Sequence, residues 1–414
     1  MKNNNNKKDK KYVELIWAEK YNDFVRPEKK VEIERIALPF QLTETVNEPR
    51  IKEYEASLGK MFFPKAKYPE NYPQDWKNKL IWGDNKIVIE SLLRGDKSSD
   101  IPSMAGKINL IYIDPPFFTG SDFSVRAKVG NEEIEKEPSI IEQRAYIDTW
   151  SQGIASYLKY MYERLVLMRE LLADNGSIYV HLDWHVGHYV KVLMDEIFGY
   201  ENFRNEIVWA YTGPSAPGQE QFSRKHDTIL WYSKNSNKWI FNTDNIRIPY
   251  HETTAGKFES EGTGFGGKKA DLSKGKIPED WWSLPIVSRI RTEILDFATQ
   301  KPEALLRRII LASSDPGDVV ADFFCGSGTT GAVAEKLGRR WIMADLSKFA
   351  VQVSRKRLLD IYHSKDLLDE KKNEYGNPAR PFEILNIGKY SVGEWNGRED
   401  EFVKFILQLY QAKP

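Results

Sequence analysis

Three aspartates, Asp114, Asp322 and Asp345, stand where apolar runs of the strand type stop. In "LIYIDPPFFTG", residues 110–120, Asp114 is followed by Pro115 and Pro116, which fix φ and donate no backbone N–H, and then by Phe117. A strand cannot run through two prolines in the interior of a sheet, so the spacing predicts a carboxylate held at a strand end beside an aromatic face. In "FFCGSGTTG", Gly326, Gly328 and Gly331 follow another strand in G-x-G-x-x-G spacing. Asp345 closes the next strand at the roughly 20-residue interval of the dinucleotide-binding fingerprint.

The charge at the glycine turn narrows what can bind there. Asp322 lies immediately before it, where it would repel a pyrophosphate and attract a cationic amino group. A ligand with a cationic amino-acid end and a ribose, but no phosphate, fits that pattern, and S-adenosylmethionine is such a ligand. Asp322 would face its ammonium, and Gly326 and Gly328 would let the backbone come close. Thr329 and Thr330 could hydrogen-bond polar groups, and Asp345 would accept from the ribose hydroxyls. The bland alternative is a plain tight turn in an α/β protein.

The elements that must position these residues alternate between strand and helix. "LIWGDNKIVIESLLRG" predicts a strand, a turn at Gly83 and Asp84, and a helix; "KINLIYI" predicts the next strand. After the phenylalanines comes a charged loop. "YLKYMYERLVLMRELLADNGSIYVHLD" predicts a long amphipathic helix ended by Asn175-Gly176 and then a strand. Another helix is expected over about 187–198. Between Tyr211 and Thr299 the chain turns Gly-rich and polar, with "DTILWYS" and "KWIFN" as short strands, which predicts an inserted module. Alternation then resumes, so the expected core is an open, mostly parallel α/β sheet with helices on both faces.

The expected organisation is a polar extension, partly disordered, over 1–75; a catalytic half over 76–210; an inserted region over 211–298; a cofactor-binding half over 299–363; and a C-terminal extension over 364–414. The last ends in an apparent amphipathic helix. At 414 residues the chain exceeds what one core usually supports.

Composition excludes several classes. No apolar run approaches the roughly 18 residues of a membrane span, and "MKNNNNKKDKK" has no apolar segment behind its lysines, so a cytoplasmic protein is the expectation. One cysteine, Cys325, rules out an internal disulfide framework and a multi-cysteine zinc site. "HLDWHVGH" gathers His181, His185 and His188, but no acidic cluster completes a ligand set, and the expectation is no metal. Net charge is zero. Residues 222–291 nevertheless carry 12 Lys or Arg against 8 Asp or Glu, interleaved with Trp231, Trp239, Trp281 and Trp282, which suits either a phosphate-contacting surface or a solvated basic face.

Taken together, Asp114-Pro115-Pro116-Phe117 and Asp322 to Gly328 make the chain resemble the amino-methyltransferases of DNA, which methylate adenine N6 or cytosine N4. In that family D-P-P-[YF] is the catalytic motif and D-x-F-x-G-x-G the cofactor motif. Here the catalytic motif comes first, similar to the permuted β group, and "TQKP" at Thr299 to Pro302 and "GDN" at Gly83 to Asn85 are typical of that group too. The resemblance spans about residues 78–360. It implies a Rossmann-like methyltransferase fold, circularly permuted, with an inserted target-recognition module. It implies catalytic roles for Asp114, Pro115, Pro116 and Phe117. Thr299, Gln300 and Lys301 should lie near the carboxylate end of S-adenosylmethionine and Asp84 near its adenine, with Phe324 and Ser327 completing the cofactor set.

The implied reaction suits these residues. The exocyclic amine of adenine is a poor nucleophile because its lone pair is delocalised into the ring. The Asp114 carboxylate and the Pro115 carbonyl could each accept one N–H, turning the lone pair toward the methyl group by orientation and electrostatics alone. Phe117 offers a stacking face, and Trp209 is either a second such face or a core residue. A duplex base would have to be flipped out, at a cost of a few kcal/mol. Asp rather than Ser at the motif's start favours N6 of adenine over N4 of cytosine, the alternative, and an RNA or protein methyltransferase is a further rival. A dehydrogenase would need a general acid and phosphate donors, and neither is evident. The place of Cys325 in the cofactor loop, away from the catalytic motif, argues against carbon-5 methylation. The implied partner is double-stranded DNA; a homodimer and a cognate restriction endonuclease are compatible with the family, and no membrane is implied.

Overall fold

Alternate side chains of the strand that ends at Asp114 go to opposite faces of a sheet, and both faces are covered. Ile111 and Ile113 join one apolar layer, while Leu110 and Tyr112 join the other. Such strands read as unbroken apolar runs because helices lie on each side of them. The computed structural model describes residues 14–17, 20–21, 32–47, 65–73, 75–117, 125–129, 132–136, 153–213, 220–251, 272–287, 290, 293–295, 297, 299–369 and 374–388. In chain order these hold β1 (Gln41–Val46), β2 (Asn78–Trp82), α1 (Asn85–Arg94), β3 (Ile108–Ile113), β4 (Val125–Val129), β5 (Glu132–Lys136), α2 (Ile154–Leu171) and β6 (Leu172–Leu182). There follow α3 (Gly187–Phe198), β7 (Phe203–Ala210), β8 (His226–Ser233), β9 (Trp281–Ser283), α4 (Glu303–Ser313), β10 (Val319–Asp322), α5 (Thr329–Lys336), β11 (Arg340–Asp345), α6 (Lys348–Leu359) and β12 (Phe382–Asn386).

Ten strands form one mixed sheet in the order β1-β12-β2-β11-β10-β3-β6-β8-β7-β9. From β12 to β6 every pairing is parallel. β8 runs antiparallel to both β6 and β7, and β1 antiparallel to β12. Helices α1, α2 and α3 pack their apolar stripes on one face; α4, α5 and α6 cover the other. The chain leaves β10 for β11 on one side while β3 lies on the other, so the carboxyl ends of β10 and β3 flank a crevice of the kind where ligands bind in open α/β sheets.

The edge beyond β2 differs from the sequence expectation. Residues 41–46, expected to be irregular, form a strand, and it pairs with β12 from the C-terminal extension. Behind this edge, buried Glu335 of α5 collects the Arg380 backbone N–H at 2.7 Å, the Trp341 indole N–H at 2.8 Å, the Asn78 amide at 3.2 Å and the Arg380 guanidinium at 3.2 Å. Asn78 in turn accepts from Trp76 and Trp341 at 2.8 Å each. One carboxylate thereby ties the entries of β2, β11 and β12 together.

Three boundaries are corrected as well. Helix α2 ends at Leu171, four residues before Asn175-Gly176, because β6 begins at Leu172 and pairs Ile108 with Leu172 across a register shift. "DTILWYS" is a strand, but it belongs to the main sheet as β8 and not to a separate module; "KWIFN" is not a strand and contributes one isolated bridge. The charged loop contains the antiparallel pair β4 and β5. Much of the extension over 1–75 that is expected to be partly disordered, most of the Gly-rich "ESEGTGFGGKKADLSKGK" and the expected terminal helix lie outside the described residues. No helix among the described residues is long and apolar enough to cross a membrane.

Replacing Glu335 by alanine leaves a buried guanidinium with no carboxylate, its remaining partners being the Lys67 and residue-335 carbonyls and the Tyr72 side chain. Glu335→Ala should lower the unfolding free energy by on the order of 3 kcal/mol, read as a lower urea midpoint at unchanged slope; an unshifted midpoint would contradict this account of the edge.

Candidate active site

Parallel pairing of Val320 with Leu110 and Ala321 with Ile111 brings Asp322 and Asp114 to adjacent strand ends. Asp114 is largely buried. Its Oδ2 is ion-paired with the Lys301 ammonium, while Oδ1 is buried with no hydrogen-bond partner among the described residues. Pro115 is buried and Pro116 and Phe117 half-buried, with Phe117 packed against the α1–α3 face. The Lys301 ammonium sits 5.5 Å from the Phe117 ring centre. The site therefore offers an aromatic face, one neutralised carboxylate oxygen and one oxygen still able to accept a proton donor.

Beneath Phe117 is a buried polar chain whose members lie far apart in sequence. The His181 ring, fully buried, lies 5.9 Å from the Phe117 ring. Its Nδ1 is 2.8 Å from the Tyr112 hydroxyl and its Nε2 3.1 Å from Asp227 Oδ2; the Tyr211 hydroxyl donates to Asp227 Oδ1 at 3.2 Å. Burial pushes the Asp227 carboxyl up, but the His181 hydrogen bond, the His181 and Lys301 charges and the Tyr211 hydroxyl outweigh it, and the group ends below its usual range. Burial, with Asp114 next in weight, pushes the Tyr112 phenol well above its ordinary range, so it stays neutral.

At the glycine turn, α5 begins directly after Gly328, which has φ of 72° in the left-handed region. A Cβ there would also lie 2.6 Å from Ser354 Oγ and 3.0 Å from its Cα, so both conformation and the approach of α6 demand glycine. Gly326 has φ of 50°, and its N–H donates to Asp345 Oδ2 at 2.9 Å. The other Asp345 oxygen accepts from the Ser347 N–H at 2.8 Å. Asp322 is buried, accepting from the Phe324 N–H at 2.9 Å and the Thr330 hydroxyl at 2.5 Å. Burial drives its pKa up to about 7; the Thr330 and Phe324 hydrogen bonds oppose this, and Asp114 and Asp345 add to it. Phe324 is half-buried, while Ser327 and Thr329 are buried with their hydroxyls 3.2 Å apart.

The residues carried over from short matches have definite places. Asp84 caps α1, accepting from the Lys86 and Ile87 N–H groups, and its other oxygen meets the Arg164 guanidinium at 3.2 Å. Arg164 also bonds Asn85, whose amide donates to the Phe323 carbonyl at 3.2 Å. Exposed Thr299 accepts from Lys301 through its carbonyl at 3.4 Å. The Gln300 side chain closes its own loop, accepting from the Leu295 N–H at 3.0 Å and donating to the Glu293 carbonyl. Lys301 reaches Asp114.

Trp209 is core: it is buried, its N–H donates to the Leu284 carbonyl at 2.9 Å, and its ring meets His181 edge-on. An exposed aromatic does stand near by. Trp184, after the end of β6, stacks on His185 at 3.7 Å between ring centres and carries the Arg224 guanidinium 4.0 Å above it. Within "HLDWH" the exposed side chain is the tryptophan and neither histidine. Among the described residues no three His, Cys, Asp or Glu gather as a metal ligand set. Cys325 is buried, and burial pushes its thiol well up. Arg164 had a legible signal, since it interrupts the apolar stripe of Tyr157, Met161, Leu165 and Met168 on α2.

Residues 108–356 match the family model described as DNA methylase. The chain belongs to the DNA methylase family. This methylase is 30% identical over 337 residues to the type II methyltransferase M.EcaI of Enterobacter cloacae, covering 68% of this chain and 69% of that protein. It is 27% identical over 302 residues to the DNA adenine methyltransferase YhdJ of Escherichia coli K12, covering 72% and 93% respectively. Among solved structures it is similar to an M1.HpyAVI-SAM complex, at TM-score 0.43 and 20% identity over 68% of this chain and 98% of the other. The PvuII DNA methyltransferase, a cytosine-N4-specific enzyme, matches at TM-score 0.43 and 19% identity over 74% and 93%.

The position of Asp322 in the methylase's crevice has a testable consequence. A ligand that brings a cationic amino group to this acid binds its ionised form. Below a pKa of about 7 the proton must leave first, so affinity should rise with pH by at most about tenfold per unit and level off above 7. Calorimetry with S-adenosylmethionine between pH 5.5 and 8 checks this; Asp322→Asn should give a flatter profile, and an unchanged slope in that variant would assign the proton elsewhere.

Proposed function

We propose that this methylase transfers a methyl group from S-adenosylmethionine to the exocyclic N6 of adenine at a specific sequence in duplex DNA, acting on a flipped-out nucleotide. The observation that carries the reading is the Asp114 carboxylate, with one oxygen held by Lys301 and the other buried and without a partner among the described residues, at the strand end next to Asp322. Adenine is favoured by the Asp that opens the motif and by the likeness to the DNA adenine methyltransferase of Escherichia coli.

The residues at the glycine turn suit the cofactor. A buried acid, two glycines in left-handed conformations and a second acid at the end of β11 match a ligand with an ammonium, a backbone to be approached closely and a ribose. Asp322, Phe324, Gly326, Ser327, Gly328, Thr329 and Asp345 would hold it, with Asp84 and the Thr299–Gln300 segment at its ends. When bound, S-adenosylmethionine supplies an electrophilic methyl on a sulfonium. Asp114 Oδ1 accepts one N–H of the target amine, and the Pro115 carbonyl accepts the other. Fixing both N–H groups turns the amine lone pair out of the ring plane, and the carboxylate stabilises the positive charge that develops on nitrogen. Phe117 stacks on the base, and the Trp184–Arg224 pair, an exposed aromatic under a cation, meets the strand it came from. The chain is read as circularly permuted, because the strand bearing the catalytic motif precedes in sequence the strand bearing the cofactor turn. Residues 211–298 supply base recognition, except that β8 and β9 serve the sheet.

Incubation with methyl-labelled cofactor and mixed-sequence duplex DNA, followed by nucleoside separation, should put the label in N6-methyldeoxyadenosine. Label in N4-methyldeoxycytidine overturns the adenine assignment, and label with RNA alone overturns the substrate class. Asp114→Ala should abolish transfer and leave cofactor binding largely intact; loss of both would mean that Asp114 has another role.

A further inference from the structure

We propose that Lys301 is a positioning residue for Asp114: its ammonium holds Oδ2 so that Oδ1 is the one carboxylate oxygen presented to the target amine. The inference rests on the methyl-transfer reading and departs from the expectation that this lysine serves the cofactor's carboxylate.

Lys301 is built to stay where it is. Its side chain is 12% exposed and that of Asp114 15%, so the contact is mostly shielded from water. Its backbone is pinned from three directions. The carbonyl accepts from the Thr329 hydroxyl at 3.1 Å, Pro302 after it caps α4, and the preceding Gln300 side chain ties the loop to Leu295 and Glu293. The Glu303 N–H, one step into α4, donates to Glu293 Oε2 at 3.0 Å and closes the same loop. Thr329 is itself held by the Arg357 guanidinium at 2.8 Å, and Arg357 and Lys336 clasp buried Glu303 at 2.8 and 2.7 Å. A rigid ionic cluster under the glycine turn thus ends in a lysine that reaches across to the catalytic strand.

A carboxylate without such a partner rotates freely about its last bond and offers either oxygen, or both, to a donor. Holding Oδ2 removes that choice, and Oδ1 is the atom left buried and, among the described residues, unpartnered. The same ammonium, 5.5 Å from the Phe117 ring centre, favours the ring orientation that presents its face. It also offsets crowding of negative charge, since Asp322 and Asp227 both lie close enough to feel this pair. Lys301 reduces the net charge that Asp114 can lend to the developing ammonium, so its benefit to the reaction is geometric. Misplacement of a reacting group by about 1 Å costs on the order of a hundredfold in rate, and that is the scale at stake.

The test measures kcat, KM for a duplex substrate and, by calorimetry, the dissociation constant for S-adenosylmethionine in Lys301→Met, Lys301→Arg, Asp114→Asn and the Asp114→Asn/Lys301→Met double variant. Lys301→Met should lower kcat by roughly 10- to 100-fold with the cofactor dissociation constant unchanged. Lys301→Arg should recover part of the loss, and the double variant should be no slower than Asp114→Asn. A raised cofactor dissociation constant with kcat unchanged at saturation assigns Lys301 to the cofactor and overturns the proposal, as do additive losses in the double variant. Should Lys301→Met not fold, a Lys301→Arg variant with impaired cofactor binding and wild-type kcat overturns it equally. Failure of the parent reading looks different: the wild-type protein itself then transfers no methyl to DNA.

Discussion

The site depends on the parallel pairing of β10 with β3. Only two residue pairs define it, Val320 with Leu110 and Ala321 with Ile111, yet it sets two acids from opposite halves of the chain side by side at the carboxyl edge. A strand slipped by one residue would turn every side chain to the other face. That slip would put Tyr112 among α1 to α3 and Ile111 against His181, and both apolar layers would lose their fit. Burial on both faces therefore fixes the register, and the register fixes the separation of Asp114 from Asp322.

Around that junction the polar groups differ in what burial does to them. Asp322 is driven toward the neutral form, with its pKa up to about 7, and ionises at little cost when a cation arrives. Asp114 sits against a fixed ammonium, and Asp227 is held below its usual range by His181 and its neighbours. Three carboxylates in one region thus have three environments. The His181 chain, with a partner on each ring nitrogen, binds β3, β6 and β8 beneath the stacking face. It supports Phe117 from one side, while the Lys301 ammonium lies 5.5 Å from the ring centre.

Local chemistry was the legible part of the sequence. Two prolines after an acid, and glycines spaced after a strand, impose backbone shapes that no distant contact can override, and both motifs stand at strand ends as their residues require. The helix–strand alternation was legible for the same reason. What could not be read are pairings between distant segments. The β1 strand is polar at alternate positions and becomes a strand because β12 lies beside it; β12 has that place because Glu335 fastens Arg380 and Asn78 behind it. "DTILWYS" was correctly a strand, but only tertiary pairing reveals that it completes the main sheet. Asn-Gly is a strong local stop signal for α2, but the strand pairing at Ile108 claims the chain four residues sooner. Lys301 carries no local mark of its partner at all.

The most direct test of the account is a crystal structure with an S-adenosylmethionine analogue, inert at the methyl position, and a duplex bearing the target adenine. The account predicts the adenine N6 within about 3 Å of Asp114 Oδ1, with the ring on Phe117, Lys301 still on Oδ2, and the analogue's amino-acid end beside Asp322. An adenine bound away from Asp114, or an analogue whose amino group turns away from Asp322, would contradict it.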